Sequence, residues 1–269
     1  MAEQRRLALV TGASAGIGTA FARLAAAKGC DVALVARRAD RLEKLAAELR
    51  EKGIEAFPMA MDLCQCVSAA TVMSRLSGKG RHVDILINNA GYSIPASFGA
   101  TPLDDQLAFM DLTMSTPVRL ARLCLPGMIT RNFGRIINIS SITAFSSGGK
   151  GHTLYPAAKS FLVKFSQSLN AEVAAKGVHV SAICPGFVDT EFQKANGMAE
   201  KMERPPSFVL QSPEEIAGES WRRNDRGVEI IVPGFLPKVM AAALKYLPEQ
   251  IVTPLTRKAA ADHFIGEQA

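Results

Sequence analysis

Short apolar runs alternate with amphipathic stretches along most of the chain. The runs Leu7–Val10, Asp31–Ala36, Ile54–Ala60, Val83–Asn88, Gly134–Ser140, Val178–Cys184 and Val228–Val232 read as strands. Their near-continuous hydrophobicity suits strands buried on both faces. Between them, apolar residues recur at helical spacing over Gly16–Lys28, Asp40–Glu51, Val67–Leu76, Leu103–Arg131 and Leu154–Ala175. This alternation predicts an α/β fold: one doubly wound parallel sheet of about seven strands with helices on both faces. In such sheets a ligand sits outside the carboxyl ends of the strands. Residues 1–232 form the expected sheet domain, and residues 233–269 a helical extension of it.

Composition narrows the function. Of 269 residues, 48% are apolar and 21% are charged, enough for one large core. The net charge is +6, but no Lys/Arg run exceeds two residues, so nucleic acid is not an expected partner. The mild basic excess suits an anionic ligand. The five cysteines are Cys30, Cys64, Cys66, Cys124 and Cys184, four of them in or beside apolar segments. They read as reduced thiols, and the expected location is cytoplasmic. Cys64-Gln65-Cys66 lacks a second ligand pair, so no metal site is expected. The residues Met1–Arg6 carry no apolar signal-peptide core, and no segment reaches membrane-spanning length.

Candidate chemistry begins with Tyr155-Pro156-Ala157-Ala158-Lys159. Residues four apart share a helix face, and an ammonium beside a phenol favours the phenolate. Such a pair can exchange a proton with a carbonyl or alcohol oxygen. Tyr92 and Tyr246 have Ala96 and Gln250 at that spacing and cannot do the same. The second motif is Thr11-Gly12-Ala13-Ser14-Ala15-Gly16-Ile17-Gly18, set between a strand and a helix. Glycines there let the backbone turn tightly and approach a pyrophosphate, and the helix N-terminus favours the negative charge.

Together with Asn88-Asn89-Ala90-Gly91, Ser140-Ser141 and Pro185-Gly186, these motifs stand in the order and approximate spacing of the short-chain dehydrogenase/reductase family. The chain resembles that family from about Leu7 to Val232. The resemblance implies a Rossmann-type fold and an oxidoreductase acting on a carbonyl or secondary alcohol. It places Ser141, Tyr155 and Lys159 at the catalytic centre, with Lys159 lowering the phenol pKa and holding the nicotinamide ribose. It assigns the cofactor to Gly12, Ser14, Ala15, Gly16, Ile17 and Gly18, to Asp62 and Leu63, and to Asn89, Ala90 and Gly91. Tyr155, Lys159, Pro185, Gly186, Val188 and Thr190 complete that set. One departure is Thr113, which stands where many members carry a relay asparagine. Ser141 and Tyr155 are fourteen residues apart, one more than in most members, and the stretch Ser146–Gly151 is expected to absorb the difference. His152 reads as a loop histidine at the pocket rim.

The second strand ends Val35-Ala36-Arg37-Arg38, with no acid at Ala36. A carboxylate there would suit the adenosine ribose of NAD, whereas arginine suits a 2′-phosphate. NADP(H) is therefore expected over NAD(H), with Arg37 and Arg38 as its readers; Asp40 reads as a helix cap. The segment Glu191–Gln211 reads as a substrate lid, with Met198, Met202, Phe208 and Val209 as candidate lining. Beyond Val232, Pro233–Pro237 breaks the chain and Val239–Leu244 forms an apolar helical stretch among Lys238, Lys245, Arg257 and Lys258. It reads as a helix over the substrate mouth or across a dimer, or as a weak membrane-surface contact. The expected substrate is a medium or large apolar ketone or aldehyde, and the expected assembly is a homodimer or homotetramer. The alternative is a catalytically weak NADP(H)-binding scaffold or redox sensor.

Overall fold

A computed structural model describes residues 4–149, 151, 153–189, 209–248, 250–254 and 256. Seven parallel strands form one sheet in the order β3-β2-β1-β4-β5-β6-β7. They are β1 (Leu7–Thr11), β2 (Asp31–Ala36), β3 (Ala56–Ala60), β4 (Val83–Asn88), β5 (Gly134–Ile139), β6 (Val178–Ile183) and β7 (Ile230–Ile231). This is the expected doubly wound α/β fold, with a shorter third and seventh strand than the apolar runs suggest.

Strand alternation decides which helices each face meets. Ala8 and Val10 of β1 pack with α1 (Gly16–Ala27), α2 (Ala39–Arg50) and α7 (Pro213–Asp225). Leu7 and Leu9 face the other way, toward α3 (Ser68–Ser77), α5 (Thr116–Thr130) and α6 (Leu154–Val173). Successive side chains of a strand point to opposite faces, so each strand serves both cores.

Several elements differ from the sequence expectation. The stretch read as one helix over Leu103–Arg131 is α4 (Leu103–Met110), a π-helical turn (Asp111–Ser115) and then α5. Helix α7 was not expected, although its signal is present: Ser212 accepts from the Glu215 N–H and Glu215 reaches back to the Ser212 N–H. That is a capping box. Asp40 lies in the first turn of α2, while Arg38 holds the N-cap position. Pro233 and Gly234 separate β7 from α8, which spans Phe235–Tyr246 and so begins before the expected Val239. Pro237 falls in its first turn, where a missing N–H costs nothing.

The amino ends of the strands are locked by a buried ion pair. Arg81 meets Asp31 at 2.7 Å and Glu55 at 2.8 Å, and donates to the Arg5 carbonyl at 3.0 Å. Asp31 also accepts the Glu55 N–H at 2.7 Å, so its charge is satisfied twice.

Candidate active site

Strand β5 and helix α6 build the centre. The strand runs into Ser140 and Ser141, and Ser141 caps a 3-10 turn (Ile142–Phe145) by accepting the Thr143 N–H at 3.2 Å. The first turns of α6 carry Tyr155 and Lys159. Ser140 is buried and donates to the Lys159 carbonyl at 2.7 Å, and Ser160 donates to the Ala144 carbonyl at 2.7 Å. These two bonds fix the helix against the serine turn. Ser141 and Tyr155 are joined by a side-chain hydrogen bond. The Lys159 ammonium donates to the Ile139 carbonyl at 2.9 Å and lies 5.4 Å from the Tyr155 ring centroid. The structure thus brings Ser141, Tyr155 and Lys159 together.

The electrostatics differ from the expectation in one respect. Burial pushes the Tyr155 phenol up to about 12, and the Ser141 hydrogen bond only partly offsets this. A lowering by Lys159 is not what dominates, because the ammonium is itself desolvated and points to a backbone carbonyl. Burial brings Lys159 down to about 8, with Cys184 pulling the other way. Lys159 is 7% exposed, so little water reaches it.

Thr113 sits in the π-helical turn and is buried. Its hydroxyl donates to the Phe109 carbonyl at 2.6 Å. Its methyl group and the Lys159 ammonium both lie near Gly91: a Cβ there would lie 3.8 Å from the first and 3.9 Å from the second. Thr113 and the lysine thus share Gly91 as a neighbour, but the threonine's proton is committed to its own helix.

The glycine loop closes between β1 and α1. Gly12 and Gly16 have φ of 65° and 54°, which only glycine adopts freely. A Cβ on Gly18 would lie 2.3 Å from the Gly12 carbonyl oxygen. Asn89 secures the loop, donating to the Thr11 and Gly12 carbonyls at 3.0 and 3.1 Å. Thr11 in turn accepts the N–H groups of Asn89 and Ala90 at 2.9 and 3.0 Å. No side chain caps α1 at Ala15, and no acid occupies its first turn. That N-terminus suits an anion, so the loop fits the pyrophosphate of a dinucleotide. Arg38 folds over the loop and donates to the Ser14 hydroxyl at 3.0 and 3.2 Å. Arg37 is exposed beside it. Asp62 is exposed after β3 and accepts the Cys64 N–H at 3.0 Å, while Leu63 is buried.

After β6, the Pro185 carbonyl accepts the Ile142 N–H at 3.0 Å, tying the Pro185–Gly186 turn to the serine turn. Val188 forms an isolated bridge with Gln211. Thr190, His152, Met198, Met202, Phe208, Arg257 and Lys258 lie outside the described residues; Val209 lies within them and is partly buried.

Beside Tyr155 opens a cleft lined by Ile94, Ala96, Phe98, Phe109 and Leu154, with Thr101, Gln106 and Thr153. Gln106 holds the wall, donating to the Phe98 and Thr101 carbonyls at 2.9 and 3.0 Å. Tyr92 meets Phe109 edge-on behind it. Sequence reasoning missed this wall; its only trace was apolar Ile94 and Phe98 following the Asn-Asn-Ala-Gly turn. Helix α8 packs against the 3-10 turn, and Ser147 hydrogen-bonds Thr253 at 2.9 Å. Among the described residues no group of His, Cys, Asp and Glu could hold a metal ion, and no helix is long and apolar enough to cross a membrane.

Comparison with known proteins agrees with this geometry. Residues 6–201 match the family model described as short chain dehydrogenase. A short-chain dehydrogenase from Sphingobium yanoikuyae, solved with NADPH, superposes with a TM-score of 0.78 at 29% identity over 98% of both chains. The bulky-bulky ketone specific alcohol dehydrogenase from Comamonas testosteroni gives 0.74 at 26% identity over 99% of this chain and 97% of that one. L-Sorbose reductase from Gluconobacter frateurii, solved with NADPH and L-sorbose, gives 0.73 at 30% identity over 85% and 95%. The chain belongs to the short-chain dehydrogenase/reductase family, oxidoreductases that act on CH–OH groups with a nicotinamide dinucleotide.

Proposed function

We propose that the protein transfers hydride between NADP(H) and a medium or large apolar ketone or aldehyde, or the corresponding secondary alcohol. The observation that carries this is that Tyr155, hydrogen-bonded to Ser141, lines a cleft with Ile94, Ala96, Phe98, Phe109 and Leu154. Tyr155 is the proton donor: its phenol stays protonated to about 12, so at neutral pH it holds a proton for the carbonyl oxygen. Ser141 orients that oxygen and stabilises charge as it develops. Lys159 keeps a positive charge next to the phenol below pH 8 or so, and would hold the ribose. Bound NADPH supplies the hydride. The glycine loop, Asn89–Gly91 and the Pro185–Val188 turn would hold it.

Arg38 over Ser14, with Arg37 beside it, supports NADP(H) over NAD(H), because both offer guanidinium to a 2′-phosphate. Two of the structural neighbours were solved with NADPH. The wider set of neighbours divides on substrate: the Comamonas testosteroni enzyme is specific for bulky-bulky ketones, and the Gluconobacter frateurii enzyme was solved with L-sorbose. Ile94, Ala96, Phe98, Phe109 and Leu154 on this cleft favour the former, since Thr101, Gln106 and Thr153 offer a sugar few partners for its hydroxyls.

Two surfaces support the reading of partners. Leu103, Leu107, Met110 and Leu123 leave an apolar strip exposed along α4 and α5, which suits two-fold pairing into a homodimer or homotetramer. Along α8, Phe235, Val239 and Tyr246 form an exposed stripe with Lys238 and Lys245 near it, as in a weak contact with an anionic membrane surface. A cytoplasmic, peripheral location fits both.

The test is NADPH oxidation against a panel of ring and long-chain ketones, aldehydes and sugars. Higher kcat/KM for the apolar carbonyls is expected. A higher value for a sugar overturns the substrate reading, and equal affinity for NADPH and NADH overturns the cofactor reading.

A further inference from the structure

Gln211 has no part in the family motifs, yet three of its polar groups bond the turn after β6 and the fourth bonds Pro233. Its side-chain carbonyl accepts the Gly186 N–H at 3.3 Å, and its side-chain amide donates to the Pro233 carbonyl at 2.9 Å. Its backbone N–H donates to the Phe187 carbonyl at 2.9 Å, and its backbone carbonyl accepts the Asp189 N–H at 3.0 Å. One residue therefore joins the turn after β6, the entry to α7 and the turn after β7.

The arrangement acts on a single peptide plane. The carbonyl of Pro185 and the N–H of Gly186 belong to the same rigid unit. That carbonyl accepts from Ile142, the neighbour of Ser141, at 3.0 Å, and that N–H donates to Gln211. Held at both edges, the plane cannot rotate without breaking one of two bonds. Space for the clamp is made by glycine. A Cβ on Gly234, whose φ is +78°, would lie 2.4 Å from the Gln211 amide nitrogen. A Cβ on Gly186 would lie 2.8 Å from Pro237 of α8.

We propose that Gln211 is a positioning residue for hydride transfer: it fixes the Pro185–Gly186 peptide, and so sets the nicotinamide against Ser141 and Tyr155. The inference rests on the nicotinamide-dependent reading above. It separates two parts of the cofactor site. The adenosine end is held by the glycine loop and Arg38, which Gln211 does not touch; the nicotinamide end depends on the clamped turn.

The experiment compares the unmutated protein with Gln211→Leu in three measurements. The first is exchange of the Gly186 amide proton by NMR in the ligand-free protein, which should be slow in the unmutated chain and faster in the variant. The second is affinity for 2′,5′-ADP, which has no nicotinamide, and for NADPH. The variant should bind the first unchanged and the second roughly 3- to 10-fold more weakly, the range set by losing the one of its two side-chain bonds that holds Gly186. The third is single-turnover hydride transfer to a test ketone by the folded variant, which should slow; the melting temperature should fall by no more than two lost hydrogen bonds account for. Should the leucine variant not fold, Gln211→Met, of similar length, is measured in the same way. Unchanged Gly186 exchange, or equal weakening of both nucleotides, overturns the role of Gln211 alone. Failure of the unmutated protein to bind NADPH overturns the functional reading, and this inference with it.

Discussion

Ser140 donates its buried hydroxyl to the carbonyl of Lys159 at 2.7 Å, stitching the last turn of a central strand to the helix that carries the lysine and tyrosine. The bond touches no substrate, but it sets the distance between the two halves of the centre. Ser140→Ala should lower stability by about 1 kcal/mol, the usual net value of a buried hydrogen bond. Turnover should fall more than cofactor affinity. Denaturant unfolding and steady-state kinetics on one preparation check both.

Tyr155→Phe keeps the ring in place and removes only the hydroxyl. Turnover should drop by about 100- to 10,000-fold while NADPH affinity stays near normal. Stopped-flow kinetics with a fluorescence titration would show it, and near-normal kcat in a folded variant would take the proton from Tyr155.

Arg38, rather than Arg37, lies across the glycine loop. Arg38→Ala should weaken NADPH by about 1.5–3 kcal/mol, the value of a hydrogen bond to a charged group, and leave NADH little changed. Arg37→Ala should have the smaller effect. Parallel titrations of both nucleotides against both variants decide the order.

Lys159 should give the centre a pH dependence. Burial lowers its pKa from 10.5 to about 8, so its charge fades as pH rises through 8. The reduction rate should fall along the same limb, and Lys159→Arg should move that limb above pH 10 at a lower rate. Stability has the opposite sign. Between about 8 and 10.5 the unfolded lysine keeps a proton that the folded one has released, so unfolding free energy should rise with pH in that window. Urea unfolding at pH 7.5 and 9.5 tests it, with Lys159→Met expected to flatten the rise.

Arg81 and Asp31 close the opposite end of the sheet. Removing one partner of a buried pair leaves an uncompensated charge, so Arg81→Ala should cost about 3–5 kcal/mol. The specific activity of the molecules that remain folded should be unchanged. Thermal melts and active-site titration separate the two effects.

Much of this was legible in the sequence because it depends on local pattern. Strand runs such as Leu7–Val10 and Asp31–Ala36 carry their own periodicity, and the glycine loop and the Tyr155–Lys159 spacing are contiguous. What was not legible depends on how distant segments meet. Arg37 and Arg38 are equivalent as letters, and only the chain's path shows which one lies on Ser14. The carbon wall of Ile94, Phe98 and Phe109 exists because a loop folds back over α4. The desolvation that pushes Tyr155 up and Lys159 down comes from the whole core, not from their mutual spacing. Helix α7 is a different case: its Ser212–Glu215 box was readable and went unread.

The π-helical turn at Asp111–Ser115 changes the phase of a long helix. In a continuous α-helix each residue advances about 100°, so Phe109 and Leu120, eleven positions apart, would share one face. The extra residue of a π-turn removes about one such step. Leu120 can then face the sheet while Phe109 turns aside to meet Tyr92 and the cleft. Deleting one residue there would thus act less as a shortening than as a rotation, swinging the pocket wall toward the core and leaving the downstream helix where it is.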